Sequence, residues 1–260
     1  MITLTTDFGL KDPYVAEMKA VILGICPNTV IVDITHEVEK FNIRMGAYVL
    51  TSAMPFFPED SIHVAVVDPG VGTRRRPILI QTRQSFFVGP DNGLLILAAE
   101  KQGIMCIHEL ANPRFMLPKI SHTFHGRDIF APAAAHLMNG VKPEEFGPEI
   151  RKAVQPEFAK VTQRNGMLVG EVLHVDGFGN IITNINEKEV AHSRVKDAVG
   201  VELPSYKLKL KFCEAYGEAK PHKPLALIGS HGFLEISINQ GNAAKRFKTK
   251  AGDRVTVSPA

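Results

Sequence analysis

Strand-like and helix-like segments alternate through roughly the first 150 residues of this 260-residue chain, and this alternation is the strongest constraint on its fold. Apolar runs at residues 30–34 and 62–67 have the length and the β-branched composition of buried strands. Between the runs lie segments with apolar residues at helical spacing, such as Val15, Met18 and Ile22. The alternation predicts an α/β fold, with a Rossmann-like, mainly parallel sheet that carries helices on both faces.

Polar residues and prolines mark the expected ends of the helices. Asp12 is expected to cap the first helix, with Pro13 at its first position and Pro27 after its end. Asn42 is expected to cap a second helix over residues 43–54, which Pro55 stops. The other elements predicted here are strands at residues 2–5, 78–80 and 86–88 and helices at residues 93–101 and 129–139.

The pattern changes after residue 150 or so, where short strand-like runs replace the alternation. Residues 152–166 carry a proline, a glycine and several charges, which is typical of a linker. The runs that follow are at residues 168–175, 181–185, 206–212, 225–228, 233–238 and 254–257. We therefore predict two domains: an α/β domain at residues 1–155, and a smaller all-β, barrel-like domain at residues 165–260.

Charge and cysteine content exclude several classes of protein. The formal charge is only +3, too small to indicate a nucleic-acid partner. Cys26, Cys106 and Cys213 are odd in number and far apart, so they predict neither a disulfide framework nor a metal site. No charged leader opens the chain, and no run reaches the roughly 18 apolar residues of a membrane span. We expect a cytoplasmic protein that binds neither nucleic acid nor membrane.

Acidic residues follow three of the predicted strands. Asp7, Asp68 and Asp91 each come just after such a run, where α/β sheets bind their ligands. Asp7 suits a ribose diol, which needs a hydrogen-bond acceptor, but on this cluster alone an ordinary turn aspartate is the favoured explanation. Asp68 opens a glycine-containing segment that ends in Arg74, Arg75 and Arg76, and the alternative there is a surface loop with an ordinary ion pair.

Two further polar clusters could carry chemistry. His125 lies in a loop before a predicted helix and could be a base, a water ligand or a metal ligand, or simply a hydrogen-bonded loop residue. In the second domain, residues 176–180 and 230–235 combine acidic, amide and hydroxyl groups with aromatic rings. Such groups could hold a zwitterion beside a planar base, but Asp-Gly and Gly-Asn pairs also occur in hairpin turns.

Taken in order, these clusters resemble one family, the S-adenosyl-L-methionine (SAM) hydrolases, or hydroxide adenosyltransferases, which are related to the fluorinases and chlorinases. The resemblance covers essentially the whole chain. It is carried by the motifs Thr5-Thr6-Asp7-Phe8-Gly9, Asp68-Pro69-Gly70-Val71-Gly72-Thr73, Pro90-Asp91-Asn92-Gly93, Phe124-His125-Gly126-Arg127-Asp128, Phe178-Gly179-Asn180 and Asn239.

The resemblance implies roles for particular residues. Asp68, Arg75 and His125 match the family's water-handling triad, and Asp7 would hold the ribose hydroxyls. The other residues expected to bind substrate are Phe8, Asn92 and Phe124, then Asp176, Phe178, Asn180, Ser230, His231, Glu235, Ile238 and Asn239. No metal and no organic cofactor is implied. The expected assembly is a homotrimer with its sites at subunit interfaces.

Two alternatives to a hydrolase stay open. The first is a halide-dependent adenosyltransferase. The related halogenases, however, have an aromatic or small residue in place of Asp68 and a halide-binding serine near Gly126. The second is a non-catalytic sensor of adenosine or SAM, which would share the nucleoside ligands; Asp68, Arg75 and His125 favour catalysis over it.

Overall fold

The computed structural model describes residues 1–164, 166–193 and 197–260. These residues form two compact units, Met1–Pro156 and Glu157–Ala260. Within the described ranges, no helix is long and apolar enough to cross a membrane. Residue 165, at which the predicted linker and the predicted second domain meet, lies outside the described residues, as do residues 194–196.

In chain order the elements of the first unit are β1 (Ile2–Thr6), α1 (Tyr14–Ile25), β2 (Ile31–Thr35), α2 (Ile43–Ala53), β3 (Ser61–Val66), β4 (Pro77–Thr82), β5 (Ser85–Pro90), α3 (Ile96–Gln102), β6 (Ile104–Glu109) and α4 (Ala131–Met138). Its strands form one six-stranded sheet in the order β2-β1-β3-β5-β4-β6. β1 is parallel to β2 and β3, β3 is parallel to β5, and β4 is antiparallel to both of its neighbours. The predicted mainly parallel sheet is therefore confirmed.

Helices cover both faces of this sheet, as predicted. Successive residues of a strand point to opposite faces, and β3 shows the result. Val64 belongs to an apolar cluster with residues of α1 and α4, whereas Ala65 belongs to a second cluster with residues of α2 and α3. Both residues are fully buried, so the central strand is apolar on both sides.

The sheet has its topological switch point at β1 and β3. The chain leaves β1 toward β2 on one side and returns to β3 on the other, and Thr6 pairs with Val66 at the carboxyl ends of the two strands. Asp7 follows β1 directly, and Asp68 lies two residues beyond β3. Both aspartates therefore emerge where open α/β sheets bind ligands.

One of the two predicted helix caps is confirmed and the other is wrong. Asn42 caps α2, since its side chain accepts a hydrogen bond from Met45 N at 3.0 Å. Asp12 does not cap α1, because the cap position is Pro13, which already has helical backbone angles, and no side-chain cap hydrogen bond forms there. Asp12 therefore lies one residue before the cap position. The edge strand β6 was not predicted.

The described elements of the second unit are β7 (Thr162–Arg164), β8 (Met167–Val175), β9 (Ile181–Asn186), α5 (Glu187–His192), β10 (Ala198–Leu203), β11 (Tyr206–Phe212), β12 (Pro224–Ile228), β13 (Phe233–Ile238), α6 (Ala243–Phe247) and β14 (Arg254–Pro259). They contain a closed barrel, which confirms the predicted barrel-like fold. Seven strands follow in the order β14-β10-β11-β12-β13-β9-β8, and β8 pairs back with β14. β7 extends β8 and falls inside the segment predicted as a linker.

Candidate active site

A cavity of about 570 Å³ lies beyond the carboxyl ends of β1 and β3. A volume of this order is typical of sites for small molecules. Five of the predicted site residues of the first unit line it: Asp7, Phe8, Asp68, Phe124 and His125. The other lining residues are Asp12, Tyr14, Glu17, Lys40, Phe41, Val66, Val71, Ser121, Thr123, Gly126 and Arg127.

Arg75 joins Asp68 to His125. Its Nε donates to Asp68 at 3.0 Å from Oδ1 and 2.9 Å from Oδ2, and its Nη2 also donates to Oδ2. The same Nη2 lies 2.9 Å from Nδ1 of His125. The side chains of Asp68 and Arg75 are only 5% and 9% exposed, so this ion pair is largely withdrawn from solvent and its geometry is well constrained.

The loop after β3 turns the chain so that residue 75 faces residue 68. Val71 N donates to Asp68 O, and Thr73 donates to Gly70 O through both its backbone N and its Oγ1. The three consecutive arginines then separate. Arg74 is exposed, Arg75 pairs with Asp68, and Arg76 pairs with Asp91.

The environment of His125 favours the neutral imidazole. Burial lowers its pKa below the ordinary value, and the adjacent Arg75 guanidinium lowers the pKa further, against the opposing effect of Asp68. Because a guanidinium has only donors, Nδ1 of the neutral ring accepts from Arg75, and Nε2 carries the proton. The imidazole can therefore donate a hydrogen bond from Nε2.

Asp128 stabilises the loop that carries His125. Asp128 is fully buried, and it accepts hydrogen bonds from Ser121 N at 2.8 Å and from Arg127 Nε at 2.7 Å. Burial alone would raise the pKa of Asp128, but these hydrogen bonds hold it below its usual range. The segment Gly126–Phe130 forms a π-helical turn that runs directly into α4, and such turns are frequent at functional sites.

Asp7 is held at the edge of the same cavity. It is 6% exposed, and its Oδ2 accepts a hydrogen bond from Phe41 N at 2.8 Å. Lys40 Nζ donates to the backbone carbonyl of Asp7 rather than to its carboxylate. The carboxylate is thus oriented by one backbone donor and keeps lone pairs for a ligand hydroxyl.

Aromatic rings form one side of the cavity. Phe8, Tyr14 and Phe124 meet pairwise edge to face, with ring centroids 5.8, 5.6 and 5.2 Å apart. The guanidinium of Arg127 lies 5.0 Å from the centre of the Phe124 ring, and it pairs with Glu17 at 2.8 Å. Sequence reasoning did not select Tyr14 as a site residue, although its position in the first turn after the Asp7 loop could have indicated it.

Asn92 does not line the cavity but contacts the backbone next to Asp68. Its Nδ2 donates to Val67 O at 2.9 Å, and its Oδ1 accepts from Leu94 N at 3.1 Å. The amide group is therefore engaged with backbone on both sides. One of these contacts fixes the carbonyl of the residue that precedes Asp68.

In the second unit, Asp176, Phe178 and Asn180 share the loop between β8 and β9. Asp176 Oδ1 accepts from Phe178 N at 3.0 Å and from Asn180 N at 2.8 Å, and its Oδ2 accepts from Asn180 Nδ2 at 2.9 Å. The carboxylate thus stabilises its own turn. The Phe178 ring projects from this turn and is 82% exposed.

Glu235, on β13, is close to this loop because β13 pairs with β9. It is 5% exposed, and its Oε2 accepts from the Tyr216 hydroxyl at 2.8 Å. Burial raises the pKa of Glu235, the Tyr216 hydrogen bond opposes that rise, and the charge of Asp176 adds to it. Tyr216 is a second residue that sequence reasoning did not select.

The remaining predicted residues lie at the two ends of β13. Ser230 is exposed and His231 is half-buried, both in the turn between β12 and β13. Ile238 is buried at the end of β13. Asn239 follows it, and its Nδ2 donates to Ala219 O at 2.7 Å. Among the residues that the structure describes, no group of three or more His, Cys, Asp or Glu side chains could hold a metal ion.

Comparison with known families identifies the chain over both units. The profile of the SAM hydroxide adenosyltransferase N-terminal domain matches residues 2–147, and that of the corresponding C-terminal domain matches residues 170–256. The chain belongs to the SAM hydroxide adenosyltransferase family. The resemblance seen in the sequence motifs is thereby confirmed.

Full-length relatives are consistent with this membership. An (R)-S-adenosyl-L-methionine hydrolase of Methanocaldococcus jannaschii is 40% identical, over 99% of this chain and 95% of that protein. A fluorinase of an Actinoplanes species is 26% identical, over 100% and 98%. A solved structure from Thermotoga maritima, described as an uncharacterized conserved protein, has a TM-score of 0.90 and 40% identity, and the match covers 99% of this chain and 100% of that one.

Proposed function

We propose that this chain hydrolyses SAM to adenosine and L-methionine. The observation that carries the proposal is a cavity lined by Asp7, Asp68 and His125, in which Arg75 bonds both Asp68 and His125. The chain also belongs to the SAM hydroxide adenosyltransferase family. The relative with 40% identity carries the name of such a hydrolase.

The reaction needs little chemistry from the protein, because the substrate already carries a sulfonium leaving group. Water oxygen attacks C5′ of the ribose as the C5′–S bond breaks, and that bonding pair neutralises the sulfur of methionine. The attacking water loses one proton to solvent, which leaves adenosine with a 5′ hydroxyl. The enzyme has to place one water in line with the breaking bond and exclude the others.

The side chains of the first unit suit this task. The carboxylate of Asp68 can accept hydrogen bonds from the attacking water, and the fork of Arg75 fixes its orientation. His125 can donate from Nε2 and so help to hold the water or the ribose oxygen. Positioning of this kind can supply on the order of 7–11 kcal/mol of barrier reduction.

The substrate ligands are assigned by the family pattern together with these surroundings. We assign Asp7 to the ribose diol and the rings of Phe8 and Phe124 to the substrate-facing side of the cavity. Asn92 supports Asp68 from behind and is assigned to the same site. In the second unit we assign Asp176, Ser230 and His231 to the methionine portion, and Phe178, Asn180, Glu235, Ile238 and Asn239 to the nucleoside.

A halide-dependent transfer is the competing reaction, and the fluorinase relatives give it substance. Two features favour water. Asp68 is an anion, which repels a halide, and Gly126 offers no hydroxyl. A Cβ at Gly126 would stand 3.2 Å from the Phe124 ring and 3.3 Å from Met18 Sδ, so a serine there would require its neighbours to move.

Product analysis distinguishes these functions. The protein is incubated with SAM in buffers that contain fluoride, chloride or neither, and the nucleosides are separated by chromatography. The relatives' name specifies the R configuration, so both sulfonium epimers are supplied separately. Adenosine in all three buffers supports hydrolysis, a 5′-halogenated nucleoside supports transfer to halide, and binding without turnover of either epimer supports a sensor.

We further propose a cytoplasmic homotrimer, as the family pattern implies, in which the first unit of one subunit meets the second unit of the next. A head-to-tail contact closes into a ring when the rotation between successive subunits is right. The three cysteines are free thiols, which suits a reducing compartment. Mixing the inactive variants His125→Ala and Asn180→Ala tests the assembly. Partial recovery of activity supports shared sites, whereas no recovery despite subunit exchange contradicts them.

A further inference from the structure

Arg76 and Asp91 form an ion pair directly beside Arg75. Arg76 Nε donates to Asp91 Oδ2 at 2.9 Å, and Nη2 donates to the same oxygen. The backbones are joined as well, since Asp91 N donates to Arg76 O at 2.9 Å. The Asp91 side chain is 2% exposed. A carboxylate so buried is strongly destabilising without its partner, which keeps Arg76 in place.

The same pair anchors the last segment of the first unit, residues 151–156. Asp91 Oδ1 accepts from Val154 N at 2.7 Å, and Arg76 Nη2 donates to Lys152 O at 3.0 Å. Gly93 lies against Pro156, where a Cβ would stand 2.7 Å from Pro156 Cγ. Asp91 therefore makes four hydrogen bonds to two residues, Arg76 and Val154, which belong to separate parts of the unit.

Arg75 has to satisfy two partners with one guanidinium. Its Nη2 contacts both Asp68 Oδ2 and His125 Nδ1, so a small displacement of its backbone would lose one of the two contacts. The peptide that follows Arg75 belongs to Arg76, which Asp91 holds through both side chain and backbone. Displacements on the order of 1 Å at reacting groups can cost a hundredfold in rate.

We propose that Asp91 and Arg76 are positioning residues, which act through Arg75 on the alignment of Asp68 and His125. The effect on the rate rests on the proposed hydrolysis, whereas the effect on the pKa of His125 does not. A purely structural role is the competing explanation, because a buried ion pair also contributes to folding. The two explanations differ in what happens at His125.

The test compares Asp91→Asn and Arg76→Ala with Gln155→Ala. Gln155 anchors the same segment through Glu100, at 2.7 Å between Nε2 and Oε1, but it is not bonded to the arginines. Arg76→Lys is added as the conservative variant, because it keeps a charge beside Asp91 and loses the two-pronged contact. Circular dichroism and thermal melting establish whether each variant folds. If Arg76→Ala does not fold, Asp91→Asn and Arg76→Lys carry the test.

Two quantities are measured. The first is steady-state turnover of SAM. We expect kcat to fall between about tenfold and a hundredfold in Asp91→Asn and Arg76→Ala, with KM changed less than about twofold and Arg76→Lys intermediate. The second is the pKa of His125 by NMR in substrate-free protein, which should rise in the same variants as Arg75 moves away. Gln155→Ala should leave both quantities at the wild-type level.

The proposal is overturned if the folded Asp91 and Arg76 variants keep the wild-type His125 pKa. It is also overturned if Gln155→Ala changes kcat and the His125 pKa as much as those variants do. A wild-type protein that does not turn over SAM would contradict the proposed function alone. The comparison of the His125 pKa would still decide whether Asp91 and Arg76 position the site.

Discussion

Nδ1 of His125 lies 2.9 Å from Nη2 of Arg75, an atom that also donates to Asp68. Because a guanidinium cannot accept a hydrogen bond, this distance determines the tautomer of the imidazole: Nδ1 accepts and Nε2 is protonated. His125 is then a donor toward the cavity. Asp68 remains as the acceptor for a water beside it.

This arrangement predicts that activity is lost on the acid side of neutrality. Protonation of His125 would place a proton on Nδ1 against Arg75 and break their contact. The pKa of His125 lies below 6.5 because of burial first and Arg75 second, with His122 acting in the same direction and Asp68 and Asp128 in the opposite one. The rate should therefore be constant through neutral pH and fall with a midpoint below 6.5.

A pH–rate profile combined with NMR titration of His125 checks this prediction. Titration of His125 should also lower the stability of the fold as pH falls, in the same direction as the rate. The unfolded chain takes up the proton near pH 6.5 and the folded chain only at lower pH, so folding is weakened as pH falls through the folded pKa. A midpoint above 6.5 for the acid limb would contradict the proposed tautomer and its partner.

Asp68→Asn should lower the rate far more than substrate affinity. The amide keeps the size of the carboxylate but loses its charge and one acceptor, so it mainly weakens interactions with the attacking water. We expect kcat to fall by about a hundredfold or more, with little change in affinity measured by calorimetry with adenosine. Equal losses in kcat and affinity would instead make Asp68 a ligand of the substrate.

Asp7→Ala should show the opposite behaviour. Removing the acceptor leaves a buried ribose hydroxyl unsatisfied, which costs about 1–3 kcal/mol of binding. Calorimetry should therefore show adenosine affinity reduced by between about fivefold and 150-fold. The Phe41 N–H also loses its partner, so thermal melting is the control, and wild-type affinity in a folded variant would remove Asp7 from the site.

A pair of glycines in one loop tests the geometry of the second unit. Gly179 has a φ of +84°, and a Cβ there would stand 2.1 Å from Asn242 Cγ, whereas nothing lies within 4 Å of a Cβ at Gly177. Gly179→Ala should lower the free energy of unfolding by about 1–3 kcal/mol. Gly177→Ala should be close to neutral in the same denaturant titration, and equal effects would show that the loop has another conformation.

His63 predicts an acid-dependent loss of stability that is separate from the active site. It is fully buried, Thr3 Oγ1 lies 2.8 Å from its Nδ1, and burial lowers its pKa from 6.5 to about 4. The unfolded chain therefore binds one more proton between these two pH values, which costs about 3 kcal/mol of stability as pH falls across that range. The loss ends below about pH 4, where both states are protonated.

Denaturant titrations between pH 7 and pH 4 check this against His63→Phe. The phenylalanine can retain the stacking that His63 makes on Phe87, at 5.1 Å between ring centroids, and it cannot titrate. The variant should therefore lose less stability than the wild type across the range. An identical pH dependence in both proteins would assign the acid sensitivity to other groups.

Parallel strands made part of the site predictable from sequence. The carboxyl ends of neighbouring parallel strands share one edge, so strands that end before Asp7 and Asp68 bring both carboxylates to one place. Which of Arg74, Arg75 and Arg76 pairs with Asp68 was not predictable in this way, because the pairing depends on the turns between Asp68 and Thr73.

Other features were predicted wrongly or missed from the sequence, for identifiable reasons. Asp12 is a residue type that often caps helices, but the cap position of α1 is Pro13. Tyr14 and Tyr216 join their sites through contacts that are far apart in sequence, such as that between Tyr14 and Phe124. The strand β7 consists of three exposed polar residues, so it has no apolar periodicity to reveal it.

The fate of the water oxygen tests the central claim most directly. SAM is incubated with the protein in water enriched in oxygen-18, and the products are analysed by mass spectrometry. In-line attack at C5′ predicts one heavy oxygen in the 5′ hydroxyl of adenosine and none in methionine. Methylthioadenosine together with labelled homoserine, or adenosine without the label, would contradict the account.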